Sequence, residues 1–332
     1  MSIGFRDNGE ETTLSDDDDA GQDELITEEA LWDRIPEVDG AERASTYYEL
    51  SARIYARGQF DEALALAETA CDIYVGLGAS APTEGLAQTY SAIGYNLNQL
   101  KRMEEAATAM SKAVEILRTN KSPIALELAC TLGEWWYSSK NYEKVIETMR
   151  ECAQEHLVDG NEVGAANDLH LIGCAYRELK NFEEALVTFR EARVLFKKNH
   201  EVIHVGRCDQ KIAGCLNELG QGDLALEVAQ KALDVFQTAH DEERETYALL
   251  EYGKAQLLTG KIDTGLATLD DVLQTATQED PKDFEFIVDV ETRMATAMRA
   301  VGRIAEADEI VRRLSAVSDV LNEEDVATPS DT

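Results

Sequence analysis

A segment of about forty residues recurs seven times along this chain, and this repetition constrains the fold more than any other feature. Each copy has one small residue in its first helical run, followed by a short polar turn and a second helical run. The small residues are separated by 43, 39, 40, 40, 40 and 42 positions; they are Ser51, Gly94, Gly133, Gly173, Ala213, Gly253 and Ala295. A regular period of this length is typical of arrays in which one helix–turn–helix unit stacks on the next.

The turns predict where the second helix of each unit begins. Four of them contain glycine, which suits a helix C-cap with positive φ. A bulky residue such as Phe60, Tyr142, Phe182 or Ile304 follows and is expected to fill the gap between a pair and the next unit. The turn segments begin at Gly58, Lys101, Lys140, Lys180, Gly220, Gly260 and Gly302.

The small residue allows the first helix of a pair to approach its partner closely. The second helices present matching small surfaces at Ala63, Ala106, Ala185, Ala225 and Ala307. A single pair cannot bury its apolar face alone, so neighbouring units must stack.

The pattern resembles the tetratricopeptide repeat. The fourth unit shows it best, in Ile172-Gly173, Tyr176, Phe182, Ala185, Phe189 and Ala192. The resemblance covers about residues 41–316, and the long period is similar to the variety of 40–42 residues in kinesin light chains and cell-polarity adaptors. It implies an all-α, right-handed solenoid of about seven repeats, whose first helices line a concave groove.

The two ends differ from the repeats. Residues 1–24 are acidic, include the run Asp16–Asp19 and show no hydrophobic periodicity, which predicts a disordered tail. Residues 25–40 form a short amphipathic capping segment with Leu31 and Trp32, stopped by Pro36. The seven-repeat solenoid is predicted over residues 41–317, and residues 318–332 read as a second acidic tail.

The charge limits the partners that this chain can have. With 65 acidic and 31 basic residues, the formal net charge is −34, which disfavours nucleic acid and anionic membrane surfaces. The sequence has no apolar run of transmembrane length and no signal-peptide pattern at its start. Its six cysteines form no CxxC pair. We therefore expect a cytoplasmic protein with reduced cysteines.

One motif suggests catalysis. His200-Glu201-Val202-Ile203-His204 matches HExxH, which on a helix places two imidazoles one turn apart for zinc. Lys197 and Lys198 precede it and Gly206 follows, which favours coincidental spacing at a linker between units. The sequence contains no phosphate loop or nucleophile elbow. No catalytic residue, metal ligand or cofactor is therefore assigned. Trp136 is predicted to be core, whereas Trp135 is left free to be surface.

Function is expected in the groove, on positions two, five, nine and twelve of each first helix. The front half of the groove is rich in tyrosine and the back half is basic. Lys211 and Arg293 lie one position away from the expected groove positions and are predicted to flank the groove. The predicted peptide-binding residues are Tyr48, Tyr55, Tyr95, Asn98, Tyr137, His170, Arg177, Arg207, Gln210, Asn217, Lys254 and Arg299.

These residues predict a protein- or peptide-binding scaffold, with an acidic segment or a C-terminal carboxylate as partner. Alternatively, the basic groove residues pair with Glu178, Glu218, Glu251 and Asp289 as ordinary ion pairs. Two other functions stay open. One is a peptide-sensing regulatory protein that acts by protein contact, similar to bacterial quorum-sensing repeat proteins. The more remote one is a zinc-dependent hydrolase that uses His200, Glu201 and His204.

Overall fold

The computed structural model describes residues 27–278, 284–312 and 314, and every regular element in that part of the chain is helical. Short 3₁₀ turns occupy Ile35–Glu37 and Gly78–Ser80, and residues 304–312 are again α-helical. The other α-helices are α1 (Glu28–Arg34), α2 (Gly40–Ala56), α3 (Phe60–Leu77), α4 (Thr83–Gln99), α5 (Met103–Thr119), α6 (Ala125–Ser138), α7 (Tyr142–Val158), α8 (Glu162–Glu178), α9 (Phe182–Lys198), α10 (Val202–Glu218), α11 (Gly222–Ala239), α12 (Glu242–Leu258), α13 (Ile262–Gln278) and α14 (Phe284–Ala300).

Each helix packs mainly on the helices before and after it, so the chain forms a linear stack. Six units pair α2 with α3, α4 with α5, and so on to α12 with α13, and α14 opens the seventh. In each unit, the second helix begins two residues after the start of the predicted turn segment, from Phe60 in the first unit to residue 304 in the last. The predicted all-α solenoid of helix–turn–helix repeats is confirmed.

The turn inside each unit closes in the same way. In the fourth unit, the Lys180 amide donates to the Arg177 carbonyl oxygen and the Asn181 amide donates to that of Tyr176, each over 2.9 Å. This pair of bonds is the Schellman motif, which needs one residue with positive φ. Glycine fills that place at four of the turns, but lysine does so at three, with φ of 61°, 60° and 59° at Lys101, Lys140 and Lys180. The turns therefore form even where a side chain makes them costly.

The small residue of the first helix is required by close approach. A Cβ atom at Gly133 would lie 2.2 Å from Cε of Met149, and one at Gly173 would lie 2.7 Å from Cε1 of Phe189. In the first unit the Ser51 hydroxyl uses the same proximity and donates to the Ala63 carbonyl oxygen over 2.7 Å. The predicted role of the small positions is confirmed.

The N-terminal end of the stack is capped by α1. Leu31 is fully buried against Leu50 and Ile54, while Trp32 is exposed. Pro36 lies in the 3₁₀ turn that ends the segment. The tails predicted for residues 1–24 and 318–332 lie outside the described residues.

The central core contains Trp135, whose position the sequence left open. Both Trp135 and Trp136 are buried, with 7% and 4% of their surface exposed. The Trp135 ring lies over Gly94, where a Cβ atom would come within 2.9 Å of it. The small residue of one unit thus makes room for an aromatic ring of the next.

None of the described helices combines the length and the apolar character that a membrane span requires.

Candidate ligand-binding groove

The twelve predicted binding residues all lie on the first helices of the units, namely α2, α4, α6, α8, α10, α12 and α14. First helices of successive units touch where α2 meets α4, α6 meets α8, α10 meets α12 and α12 meets α14. Side chains from different units can therefore meet on this side of the solenoid, which we call the groove face.

The front of the groove face consists of tyrosines that join neighbouring units. The Tyr55 hydroxyl accepts a hydrogen bond from Gln99 on α4 over 3.2 Å. The Tyr95 ring meets Trp135 edge-on at 5.2 Å between centroids, and the Tyr137 hydroxyl lies 3.5 Å from a Glu178 carboxylate oxygen. Burial raises the pKa of both Tyr95 and Tyr137. These side chains, like Tyr48 and Asn98, are half-buried, so their positions are set before any ligand arrives.

The far end of the groove face carries an ion-pair network. The Asn217 amide donates to the Glu251 carboxylate over 2.8 Å. Lys254 contacts Glu251 at 3.3 Å and Asp289 at 2.9 Å. Arg293 contacts Asp289 at 3.0 Å and Glu218 at 2.6 Å, which links α14 back to α10. We call these groups the brace.

Four of the predicted binding residues are buried or paired within the protein at this end of the groove face. Asn217 and Lys254 are buried and engaged within the protein, and Gln210 is buried as well. Arg299 is exposed but pairs with Asp308 at 2.9 Å. Although burial would raise the pKa of Asp289, Lys254 and Arg293 hold it below its ordinary value. At this end the groove charges are paired internally, the alternative that the sequence left open.

The middle of the groove face is different. His170 and Arg177 lie on α8, and Arg207 and Lys211 lie on α10. We call these four residues the central cationic cluster. Arg177 contacts Glu178 at 3.1 Å, whereas Arg207 and Lys211 make no hydrogen bond or ion pair with any described residue. Burial lowers the pKa of Lys211, as do the charges of Arg177 and Arg207, while Cys174 and Glu251 act in the opposite direction.

His170 adds an unused hydrogen-bonding atom to this cluster. Its Nδ1 lies 3.8 Å from the Cys174 sulfur, and its Nε2 is buried with no partner. Burial, with Arg207 and Lys211 next in effect, lowers the pKa of His170 to about 3, so the ring is neutral at pH 7. Burial also raises the pKa of Cys174, which leaves a thiol that can donate to Nδ1. A thiol that donates to Nδ1 leaves the ring proton on Nε2, where it can be donated to a ligand.

The cluster is suited to holding an anion. Guanidinium groups bind carboxylates through two parallel hydrogen bonds, and such charge-assisted bonds are stronger than neutral ones. The unpaired charges of Arg207 and Lys211 repel each other in a half-buried site, and an anion would relieve that repulsion. Lys211 was predicted only to flank the groove. Its spacing of four residues from Arg207 on one helix was the signal in the sequence that placed it in the cluster.

The HExxH segment has no zinc-binding geometry. His200 is exposed and occupies the turn after α9 with a φ of 62°, and α10 begins only at Val202. His204 stacks on Phe196 with centroids 4.9 Å apart. The two imidazoles therefore do not share a helix face, as an HExxH zinc site requires.

Comparison with known proteins identifies the repeat. Two models of the tetratricopeptide repeat match residues 43–76, and residues 87–119 and 169–192. These segments span α2–α3, α4–α5 and α8–α9, the first, second and fourth units. No curated protein matches the chain in sequence.

Several solved structures share the fold. A signal transduction ATPase with numerous domains and a tetratricopeptide repeat sensor, from Pyrococcus horikoshii, has a TM-score of 0.59 at 16% identity, over 89% of this chain. This chain spans 45% of that protein's length. RapI in its apo form has a TM-score of 0.56 at 14% identity, over 84% of this chain and 99% of its own. A Rap protein in complex with competence and sporulation factor has a TM-score of 0.51 at 14% identity, over 89% of this chain and 80% of its own.

The fold thus defines an α-solenoid of stacked helix–turn–helix units. With the matches to the repeat models, three of these units are tetratricopeptide repeats.

Proposed function

We propose that the groove face binds an acidic feature of another protein or peptide, and that the central cationic cluster is its anchor. The observation that carries this proposal is the contrast between two sets of basic residues. Lys254 and Arg293 at the far end are fully engaged in the brace, whereas Arg207 and Lys211 have no partner among the described residues. Half-buried unpaired cations cost stability, and such costs are typical of functional sites.

The net charge of the protein limits the size of the acidic feature. At −34, the molecule as a whole repels a polyacidic partner, while the cluster attracts a carboxylate that reaches it. Screening confines each effect to about 8–10 Å at physiological salt. The best ligand is therefore compact: a C-terminal carboxylate, or one or two acidic side chains within an otherwise neutral segment.

The tyrosines at the front of the groove face suit the rest of such a segment. Tyr95 and Tyr137 are held by aromatic contacts with Trp135 and Tyr142. Rigid tyrosines supply contact area with little loss of conformational entropy. Among solved structures of this fold, the Rap protein that holds competence and sporulation factor supports a receptor role. In this proposal the protein is a non-catalytic cytoplasmic adaptor, and a peptide-sensing regulator would use the same face.

A peptide selection tests the proposal. Peptides with free C-termini would be selected from a random library on the full-length protein, and the affinity of the enriched sequences would be measured by calorimetry. We expect acidic or carboxylate-dependent peptides. Replacing both Arg207 and Lys211 with Gln should weaken their binding about 100-fold or more, since each charge-assisted hydrogen bond contributes about 1.5–3 kcal/mol and two are lost.

The control variant replaces Arg190 and Lys197 with Gln. Both are exposed on α9, a second helix, so this pair makes the same change in net charge away from the groove face. It should leave the affinity within about 2-fold of wild type, as surface changes usually do. Enrichment of peptides without acidic dependence, or equal losses in both variants, would contradict the proposal.

A further inference from the structure

Four residues with metal-binding side chains meet at the junction of the third and fourth units. Cys130 lies on α6, Cys152 and His156 lie one turn apart on α7, and Asp168 lies on α8. One ligand atom each from Cys130, His156 and Asp168 falls within 4.8 Å of the other two. Nδ1 of His156 is 2.6 Å from a carboxylate oxygen of Asp168, and the Cys130 sulfur is 4.0 Å from the other oxygen. Cys152 is fully buried and lies beside Cys130.

The repeat register shows that these are unusual residues for their positions. His156 stands 23 residues after the small residue of its unit, where five other units carry buried apolar side chains: Tyr74, Leu117, Phe196, Phe236 and Ala276. Cys152 stands at a place that four other units fill with a buried alanine, namely Ala70, Ala113, Ala192 and Ala232, and that units six and seven fill with Val272 and Leu314. Asp168 aligns with Cys208 and Ala248, which pack in apolar clusters with Phe196 and Phe236. Only this junction, within the described units, replaces an apolar contact with His and Asp.

A buried polar pair needs compensation. The side chains of His156 and Asp168 are only 14% and 6% exposed. Apolar residues fill the same place at neighbouring junctions, so the fold itself does not require a polar pair there. Removing such groups from water is costly unless strong partners replace the solvent, and the bond between His156 and Asp168 replaces only part of it. A metal ion bound by both side chains would supply such a partner.

We propose that Cys130, Cys152, His156 and Asp168 bind one Zn²⁺ ion that joins the third and fourth units. A set of two sulfurs, one imidazole nitrogen and one carboxylate oxygen suits zinc in a tetrahedral site, and the thiolates disfavour Mg²⁺ and Ca²⁺. Ligand atoms around such an ion lie about 3.3 Å apart or more. The His156 and Asp168 atoms therefore separate by a fraction of an ångström on binding, and Cys152 turns toward the ion.

The site has a route for a cation. A surface opening of about 500 Å³ is lined by Cys130 and His156. Its rim carries Glu127, Glu134 and Asp159, whose negative charge attracts a divalent ion. Because the ligands come from three consecutive helices, the ion would fix the angle between two units whose first helices, α6 and α8, contribute to the groove face.

Metal binding by the full-length reduced protein tests this site. Equilibrium dialysis should give one Zn²⁺ per chain, and Co²⁺ in its place should show thiolate charge-transfer absorption. The variant His156→Phe/Asp168→Ala copies the residues of the fifth–sixth junction, Phe236 and Ala248, so it is expected to fold. It should bind zinc at least 100-fold more weakly, a larger loss than the 10- to 100-fold that changes outside the ligand set produce. Cys130→Ser should also reduce the charge-transfer band.

Cys208→Ala is the matched control, because Cys208 holds the register position of Asp168 in the next unit. It should leave zinc affinity unchanged, and circular dichroism should show native helicity in every variant. A protein that binds no zinc stoichiometrically would overturn the proposal. So would zinc that stays bound to the double variant, since surface carboxylates would then hold it.

Discussion

His170 shows, at the scale of a single residue, how burial sets the chemistry of the groove face. Its pKa lies at about 3, lowered first by burial and then by the charges of Arg207 and Lys211. A histidine in an unfolded chain has a pKa near 6.5. The native ring is therefore a neutral hydrogen-bond donor rather than a fourth cation, which keeps the cluster from repelling itself further.

This shift predicts a pH dependence of stability. Between pH 6.5 and about 3 the unfolded state holds a proton on His170 that the native state does not, so the free energy of unfolding falls as pH falls through this window. From pH 6.5 to 5 the loss from this residue amounts to about 1–2 kcal/mol. Denaturant unfolding at the two pH values should show that His170→Gln removes this part of the dependence.

The exposed His200 provides the control for that measurement. Asn tolerates the positive φ of this turn, so His200→Asn keeps the local conformation. This variant should show the same pH dependence as wild type. An unchanged pH dependence in His170→Gln would mean that the ring is protonated in the folded protein, contrary to this account.

At the scale of the elements, the seven turns inside the units separate backbone geometry from side-chain identity. Each turn places one residue at positive φ, whether that residue is glycine, as at Gly220, or lysine, as at Lys180. An L-residue in this region costs about 1–2 kcal/mol, while glycine loses about 0.5–1 kcal/mol of extra entropy on folding. The packing of the repeats overcomes the cost at the lysine turns.

The same substitution should therefore have opposite effects at two places. Lys180→Gly should raise the free energy of unfolding by about 0.5–1 kcal/mol, because it removes the left-handed penalty. Lys231→Gly, in the middle of α11, should lower it by about 1 kcal/mol. Chemical denaturation measures both. A loss of stability at Lys180 would show that its side chain contributes more than its backbone conformation costs.

The elements could be predicted from the sequence because their signals are local. A small residue, a polar turn and a bulky residue recur within each unit, and the second helix of each unit begins two residues after the start of its turn segment. Trp135 was left open because its burial depends on Gly94, in the preceding unit. The pattern of residues within one helix does not show which residues of the next unit pack against it.

The functional chemistry was only partly predictable for the same reason. The basic residues on the first helices were found from the register, yet their pairing was not. Lys254 meets Asp289 because α14 packs beside α12, and the Arg293 side chain reaches Glu218 on α10 across 75 residues of sequence. The ligands of the proposed zinc site come from three helices and match no motif. Both features appear only when units are stacked.

At the scale of the whole molecule, the proposed binding of a carboxylate depends on a local positive site in a strongly acidic protein. The chain carries −34, and at one end of the groove face the brace neutralises its cations with its own carboxylates. In the middle, Arg207 and Lys211 remain unpaired among the described residues. We propose that these two cations hold a carboxylate of a partner.

A double-mutant cycle measures that claim most directly. Each carboxylate of a selected peptide, including its C-terminus, is replaced in turn by the amide, and affinities are measured for wild type and for the variant with Gln at Arg207 and Lys211. We expect a coupling energy of about 1.5 kcal/mol or more between one carboxylate and the cluster. Coupling within about 0.5 kcal/mol of zero for every carboxylate would contradict it, because independent sites add.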